Sequence, residues 1–105
     1  MTRLEKLQQL LETDPTDSFT RYCIGLEYRG IKDYPTAIRS LEELRTSDPA
    51  YLPLYYQLAD CYRQTGNKLA AETIYRQGIT VAKAANDLHT LSELQAALEE
   101  MEEEE

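Results

Sequence analysis

Few side chains in this 105-residue chain are suited to covalent chemistry. His89 is the single histidine. A catalytic histidine works beside a nucleophile and an orienting partner, and nothing of that kind surrounds it. It reads as a surface or cap residue. Cys23 and Cys61 are the two cysteines. A structural zinc site needs about four ligands, which two Cys and one His do not supply. Two cysteines also make no disulfide framework, so both are expected to be reduced, half-buried apolar residues. The adjacent carboxylates Glu42 and Glu43 lie in a polar helical face and read as solvated. No Gly-rich phosphate loop, nucleophile elbow or metal-ligand spacing occurs. The expectation is a non-enzymatic protein without metal or cofactor.

Charge narrows the partners. Eleven Lys and Arg stand against nineteen Asp and Glu, a formal net charge of −8. Six of those acids are Glu99, Glu100, Glu102, Glu103, Glu104 and Glu105; without them the body is nearly balanced. The acidity is a property of the tail, and its plainest role is solubility. Nucleic acid is not an expected partner, because phosphate binding needs a basic patch and no run of Lys or Arg occurs. No apolar run approaches the roughly 18–20 residues that span a bilayer, and the mean hydropathy is −0.57. Residues 1–14 are amphipathic and carry Glu5, Glu12 and Asp14, unlike a secretory signal. No membrane association and a cytoplasmic location are expected.

The elements that must position any site repeat. Asp14-Pro15 and Asp48-Pro49 stand 34 residues apart. At the same offset Leu7 matches Leu41 and Leu41 matches Tyr75. Leu10 matches Leu44, Ile24-Gly25 matches Leu58-Ala59, Tyr28 matches Tyr62, and Ala37 matches Ala71. Apolar residues recur at three- and four-residue steps: Leu4, Leu7, Leu10 and Leu11; Ile24, Tyr28 and Ile31; Ala37, Ile38, Leu41 and Leu44; Tyr55, Leu58, Ala59 and Tyr62; Ala71, Ile74, Tyr75 and Ile79. Each Asp-Pro marks a helix end, since Pro cannot continue a helix, and Asp17 or Ser18 is placed to cap the next one. Gly30 and Gly66-Asn67 lie where a left-handed residue closes a helix. The pattern predicts six helices, at about 2–13, 17–30, 34–47, 51–65, 68–85 and 87–103. Their short connections make neighbours antiparallel.

A 34-residue period with two helices per unit resembles the tetratricopeptide repeat. Ile24-Gly25, Tyr28, Ala37, Leu41 and Pro49 carry the resemblance in one unit. Tyr55, Leu58-Ala59, Tyr62, Ala71 and Tyr75 carry it in the next. Lys83 stands where a closing proline is expected, so the helix from Lys68 can run on toward Asn86. The resemblance implies an all-α fold, a right-handed α-α superhelix of helical hairpins with about six antiparallel helices, in one domain over 1–105. Residues 2–15 would be a half repeat, 18–51 and 52–85 two full repeats, and 87–103 a capping helix with the acidic tail. Small residues at Gly25, Ala59, Ala37 and Ala71 let paired helices approach closely. Leu88, Leu91, Leu94, Leu98 and Met101 form the stripe of the cap, with its Glu-rich face and end in water.

By the same resemblance, the first helix of each pair lines a concave groove that binds a peptide or partner protein. The groove positions carried over are Phe19, Tyr22, Leu26 and Arg29 in the first unit, and Pro53, Tyr56, Asp60, Arg63 and Gln64 in the second. Tyr and Arg are common interface anchors. Tyr28, Tyr55, Tyr62 and Tyr75 are assigned to the core. One subtype of the family clamps the carboxylate ends of chaperone tails with Lys and Asn; Tyr22, Leu26, Tyr56 and Asp60 stand at those positions, which argues against that ligand. The expected function is a protein–protein interaction module. The alternative is a homo-oligomeric helical-repeat scaffold that self-associates through its ends or groove.

Overall fold

The computed structural model describes residues 1–104; Glu105, part of the acidic tail, lies outside the described residues. The helices are α1 (Arg3–Thr13), α2 (Ser18–Gly30), α3 (Tyr34–Ser47), α4 (Pro53–Gln64), α5 (Lys68–Ala84) and α6 (Leu88–Glu103). No strand occurs among the described residues, so the fold is all-α. The chain divides into two compact units, Met1–Leu54 and the residues from Tyr55 onward.

Local chemistry sets the helix ends. Asp14 and Asp48 close α1 and α3 by donating their backbone N–H to Leu10 and Leu44, and the prolines that follow stop the helices. Side chains of Asp33, Asn67 and Asp87 accept from the N–H groups of Thr36, Ala70 and Thr90, satisfying orphan donors at the starts of α3, α5 and α6. Thr2 and Glu5 form a reciprocal capping box on α1. Asp17 is the N-cap of α2 but makes no side-chain bond to its backbone. Its carboxylate instead accepts from the Thr20 hydroxyl, while Ser18 donates to Asp48 at 2.6 Å.

The three turns that lack proline share one device. Asp33, Asn67 and Asp87 each donate their N–H to a carbonyl five residues back, Tyr28, Tyr62 and Ala82, the longer bond of a Schellman closure. The preceding residues Lys32, Gly66 and Asn86 take φ of 64°, 81° and 55°. This corrects one expectation: the left-handed residue of the first turn is Lys32, and Gly30 is the last residue of α2. Without a proline near Lys83, α5 runs seventeen residues to Ala84.

In the first unit α2 packs on both α1 and α3. Arg3 near the start of α1 pairs with Glu27 near the end of α2 at 2.6 Å, so those helices run antiparallel. A Cβ built on Gly25 would lie 2.7 Å from Cδ2 of the buried Leu41, so any larger residue there would force Leu41 to shift. Ile24, Ala37, Leu41 and Leu44 are buried there. In the second unit the close approach is at Gly78 of α5. A Cβ there would lie 2.7 Å from Tyr55 Cβ and 3.1 Å from Leu94 Cδ1. Tyr55, Leu58, Ala59, Cys61, Ala71, Ile74, Tyr75, Leu94, Leu98 and Met101 are among the buried residues of this unit's core. Full burial of such side chains contributes about 1.5–3 kcal/mol each.

Candidate interaction faces on the second and fourth helices

Helix α2 carries Phe19, Tyr22, Leu26 and Arg29 at steps of three and four, which places them along one face. Phe19 is 63% exposed; the other three are half-buried. The Tyr22 ring sits 5.6 Å from that of Tyr51, tilted by 52°, so part of its area is spent on its own unit. Burial, followed by the nearby Tyr22, pushes the Tyr51 phenol above its ordinary pKa. Cys23, on the adjoining strip of α2, is buried and unbonded to another cysteine, and desolvation raises its thiol pKa.

Helix α4 repeats the spacing thirty-four residues on. Tyr56, Asp60, Arg63 and Gln64 together line one polar depression of about 460 Å³. Tyr56 is 39% exposed, and its ring meets that of Tyr75 edge-on at 6.3 Å. Pro53 is exposed in the first turn.

Two further lining residues come from α6: Glu100 and Glu104. Arg63 Nη2 donates to Glu104 Oε1 at 2.7 Å and reaches Glu100 Oε1 at 3.4 Å. Its Nη1 donates to the Tyr75 hydroxyl at 3.5 Å. The Tyr75 hydroxyl, and after it Glu104, hold the guanidinium more firmly protonated than usual. The Tyr75 phenol is raised by burial, against the lowering effect of Arg63. Glu100 and Glu104 thus contact Arg63 while staying exposed, on a Glu-rich face that lies in water as expected. Glu102 likewise reaches Arg76 at 3.5 Å.

Sequence reasoning missed Glu100, Glu104 and Tyr51 as neighbours of these faces. The available signal was the four-residue step between Glu100 and Glu104, which puts both on one side of a helix, but it is hidden in an unbroken acidic run. A second cleft, of about 440 Å³ in the first unit, is lined by Pro15, Thr16, Ser18, Arg21, Ser47 and Asp48. It gathers the two Asp-Pro helix ends and none of the expected groove residues. Arg21 Nε donates there to the Pro15 carbonyl at 3.0 Å. Among the described residues no group of three or more His, Cys, Asp or Glu is placed to hold a metal ion. None of the described helices is long and apolar enough to cross a membrane.

Comparison with known proteins agrees with this architecture. Residues 31–98 match the tetratricopeptide repeat family model. A tetratricopeptide repeat domain protein from Salinibacter ruber is 37% identical over 88% of this chain and 93% of its own, with a TM-score of 0.83. A Bordetella parapertussis protein aligns over 99% of this chain and 90% of its own at 21% identity and TM-score 0.87. PcrH, solved in complex with the chaperone binding region of PopD, aligns over 96% and 77% at 20% identity and TM-score 0.88. At these last two identities the likeness is one of fold. No curated protein sequence matches the chain. With its 34-residue period, its paired helices and a family match over most of its length, the chain belongs to the tetratricopeptide repeat family.

Proposed function

We propose that this protein is a non-enzymatic interaction module that binds a peptide or partner protein through the faces of α2 and α4. The observation that carries the reading is the exposure of Phe19 and Tyr56, 63% and 39%, on faces that otherwise pair aromatic with polar side chains. An exposed aromatic beside an Arg supplies much contact area at little conformational cost. Support also comes from PcrH, a protein of this fold solved with the chaperone binding region of PopD. The test is a capture experiment in which proteins retained by the wild-type chain are identified and quantified. The double variant Tyr22→Ala/Tyr56→Ala is expected to lose the specific partner while keeping its helical circular dichroism. Undiminished recovery of the same partner removes the reading.

A second reading, self-association, is favoured by α1. That helix has no fully buried residue, and Leu10 is 57% exposed. SycD of Yersinia enterocolitica, again a protein of this fold, has been solved in an alternative dimer. Sedimentation at micromolar concentration separates the two: a dimer that Leu10→Glu dissociates supports self-association, and a monomer removes it.

A further inference from the structure

Arg63 is held unlike Arg76. Arg76 is 58% exposed and pairs with Glu72 one turn before it, an ordinary surface contact of small net value. The Arg63 side chain is only 16% exposed. Its Nη1 is turned to the hydroxyl of the buried Tyr75, and its Nη2 edge faces the depression lined by Tyr56, Asp60 and Gln64. A largely buried guanidinium backed by a buried hydroxyl, with its Nη2 edge turned to an open depression, has the build of a carboxylate receptor, because less rotamer freedom remains to be lost when an anion docks.

A carboxylate is already there, supplied by the chain. Glu104 sits on Nη2 at 2.7 Å while remaining 48% exposed, and Glu100 approaches to 3.4 Å while remaining 70% exposed. Glu104 is also the C-cap residue of α6. Terminal helical turns open at small free-energy cost, so this carboxylate is the easiest partner of Arg63 to exchange. The buried anchor of α6 is Met101, one turn earlier, and it need not move.

We infer that the Nη2 edge of Arg63 is a binding site for a Glu or Asp side chain of a partner polypeptide, and that the last turn of α6 covers it with a stand-in carboxylate that the partner displaces. The inference rests on the interaction-module reading and specifies its ligand chemistry. The committed source is an acidic side chain, because the stand-in is itself a Glu side chain. The internal competitor lowers the apparent affinity by the fraction of time the site is open. It also sets a threshold, since an isolated anion competes poorly against a tethered one.

The experiment uses the full chain and nuclear magnetic resonance, following the Arg63 Nε–H and Tyr56 ring signals. The probe is a pentapeptide blocked at both ends with one central Glu, titrated into wild type, Glu100→Gln/Glu104→Gln and Arg63→Gln. The double variant is expected to reach half-saturation at about fivefold lower peptide concentration than wild type. Arg63→Gln is expected to abolish the saturable Tyr56 shift. A Gln-for-Glu probe is expected to be silent, and so is that probe with a free C-terminal carboxylate; saturation by the latter overturns the assignment to an acidic side chain. Equal half-saturation in wild type and the double variant overturns the inference. So does an unchanged titration accompanied by a thermal midpoint lowered by several degrees, which would make Glu104 a structural tie only. Partner capture separates this from the parent reading. If Tyr22→Ala/Tyr56→Ala abolishes capture and Glu100→Gln/Glu104→Gln leaves it unchanged, the module stands and the carboxylate site falls.

Discussion

Helix α1 leads into the first compact unit without one fully buried residue, whereas α6 ends the second with Leu94, Ala97, Leu98 and Met101 all buried. Both carry a leucine stripe at helical spacing. The difference lies in what each stripe meets. Leu4, Leu7 and Leu11 lie against α2 and stay half-buried. Leu94 enters the space left by Gly78, where α5 has no side chain and Tyr55 forms the floor. An amphipathic pattern thus says which face turns inward; how deeply it goes depends on the steric relief across the interface.

Core truncation should break that comparison most visibly. Leu94 is fully buried, so Leu94→Ala is expected to cost about 3 kcal/mol. The same change at half-buried Leu7 should cost about 1 kcal/mol or less. Urea unfolding of both variants measures the contrast, and equal costs would mean that α1 is packed as tightly as α6.

The two close approaches should differ next. At Gly78 an added Cβ meets the Cβ of Tyr55, an atom fixed to backbone, and Gly78→Ala is expected to destabilise by roughly 1–3 kcal/mol. At Gly25 the obstacle is the Leu41 side chain, which has rotamers available. Gly25→Ala should cost less because that side chain can yield where the Tyr55 Cβ cannot, the helix-propensity gain of about 1 kcal/mol being common to both sites. Calorimetric midpoints of the two variants rank them, and a larger loss at Gly25 would reverse the assignment of the rigid contact.

The equivalent turn residues Lys32 and Gly66 offer a sharper pair. Both have positive φ, which costs a non-glycine residue about 1 kcal/mol. Gly66→Ala is expected to lower stability by about 1 kcal/mol, and Lys32→Gly to raise it by a few tenths after the added unfolded-state freedom is counted. A stabilising Gly66→Ala would contradict the left-handed closure.

The smallest effect is the acid limb. Thr90 donates both its backbone N–H and its hydroxyl to Asp87, holding that carboxyl below its ordinary 3.8. A depressed folded-state value makes the contribution fully present above pH 3.8 and lost as pH falls through the lower folded value. Asp87→Asn should therefore lower stability above about pH 4 and flatten the further loss as pH falls below that value. Identical acid profiles would show that this cap carries no linked proton.

Much of this was legible in the chain because its signals are local. Asp14-Pro15, Asp48-Pro49 and the Asx caps mark helix ends through bonds that span three to six residues, and all six helices begin and end within a few residues of the positions expected. The misplacement of the left-handed residue at Gly30 arose from reading glycine as the marker. The repeat offset points instead from Gly66 to Lys32, where the backbone geometry persists although the residue type has changed. Glu100 and Glu104 were hidden because every member of an acidic run looks alike until a helix gives each one a direction.

By itself, the sequence determined the elements, their 34-residue period and the apolar face of each helix, since propensity, capping and spacing act over one or two turns. The role of Gly78, the depth of α6 and the seating of Glu104 on Arg63 were decided only by tertiary structure. Each depends on atoms sixteen or more residues apart arriving within van der Waals or hydrogen-bond distance, and no local preference encodes that meeting.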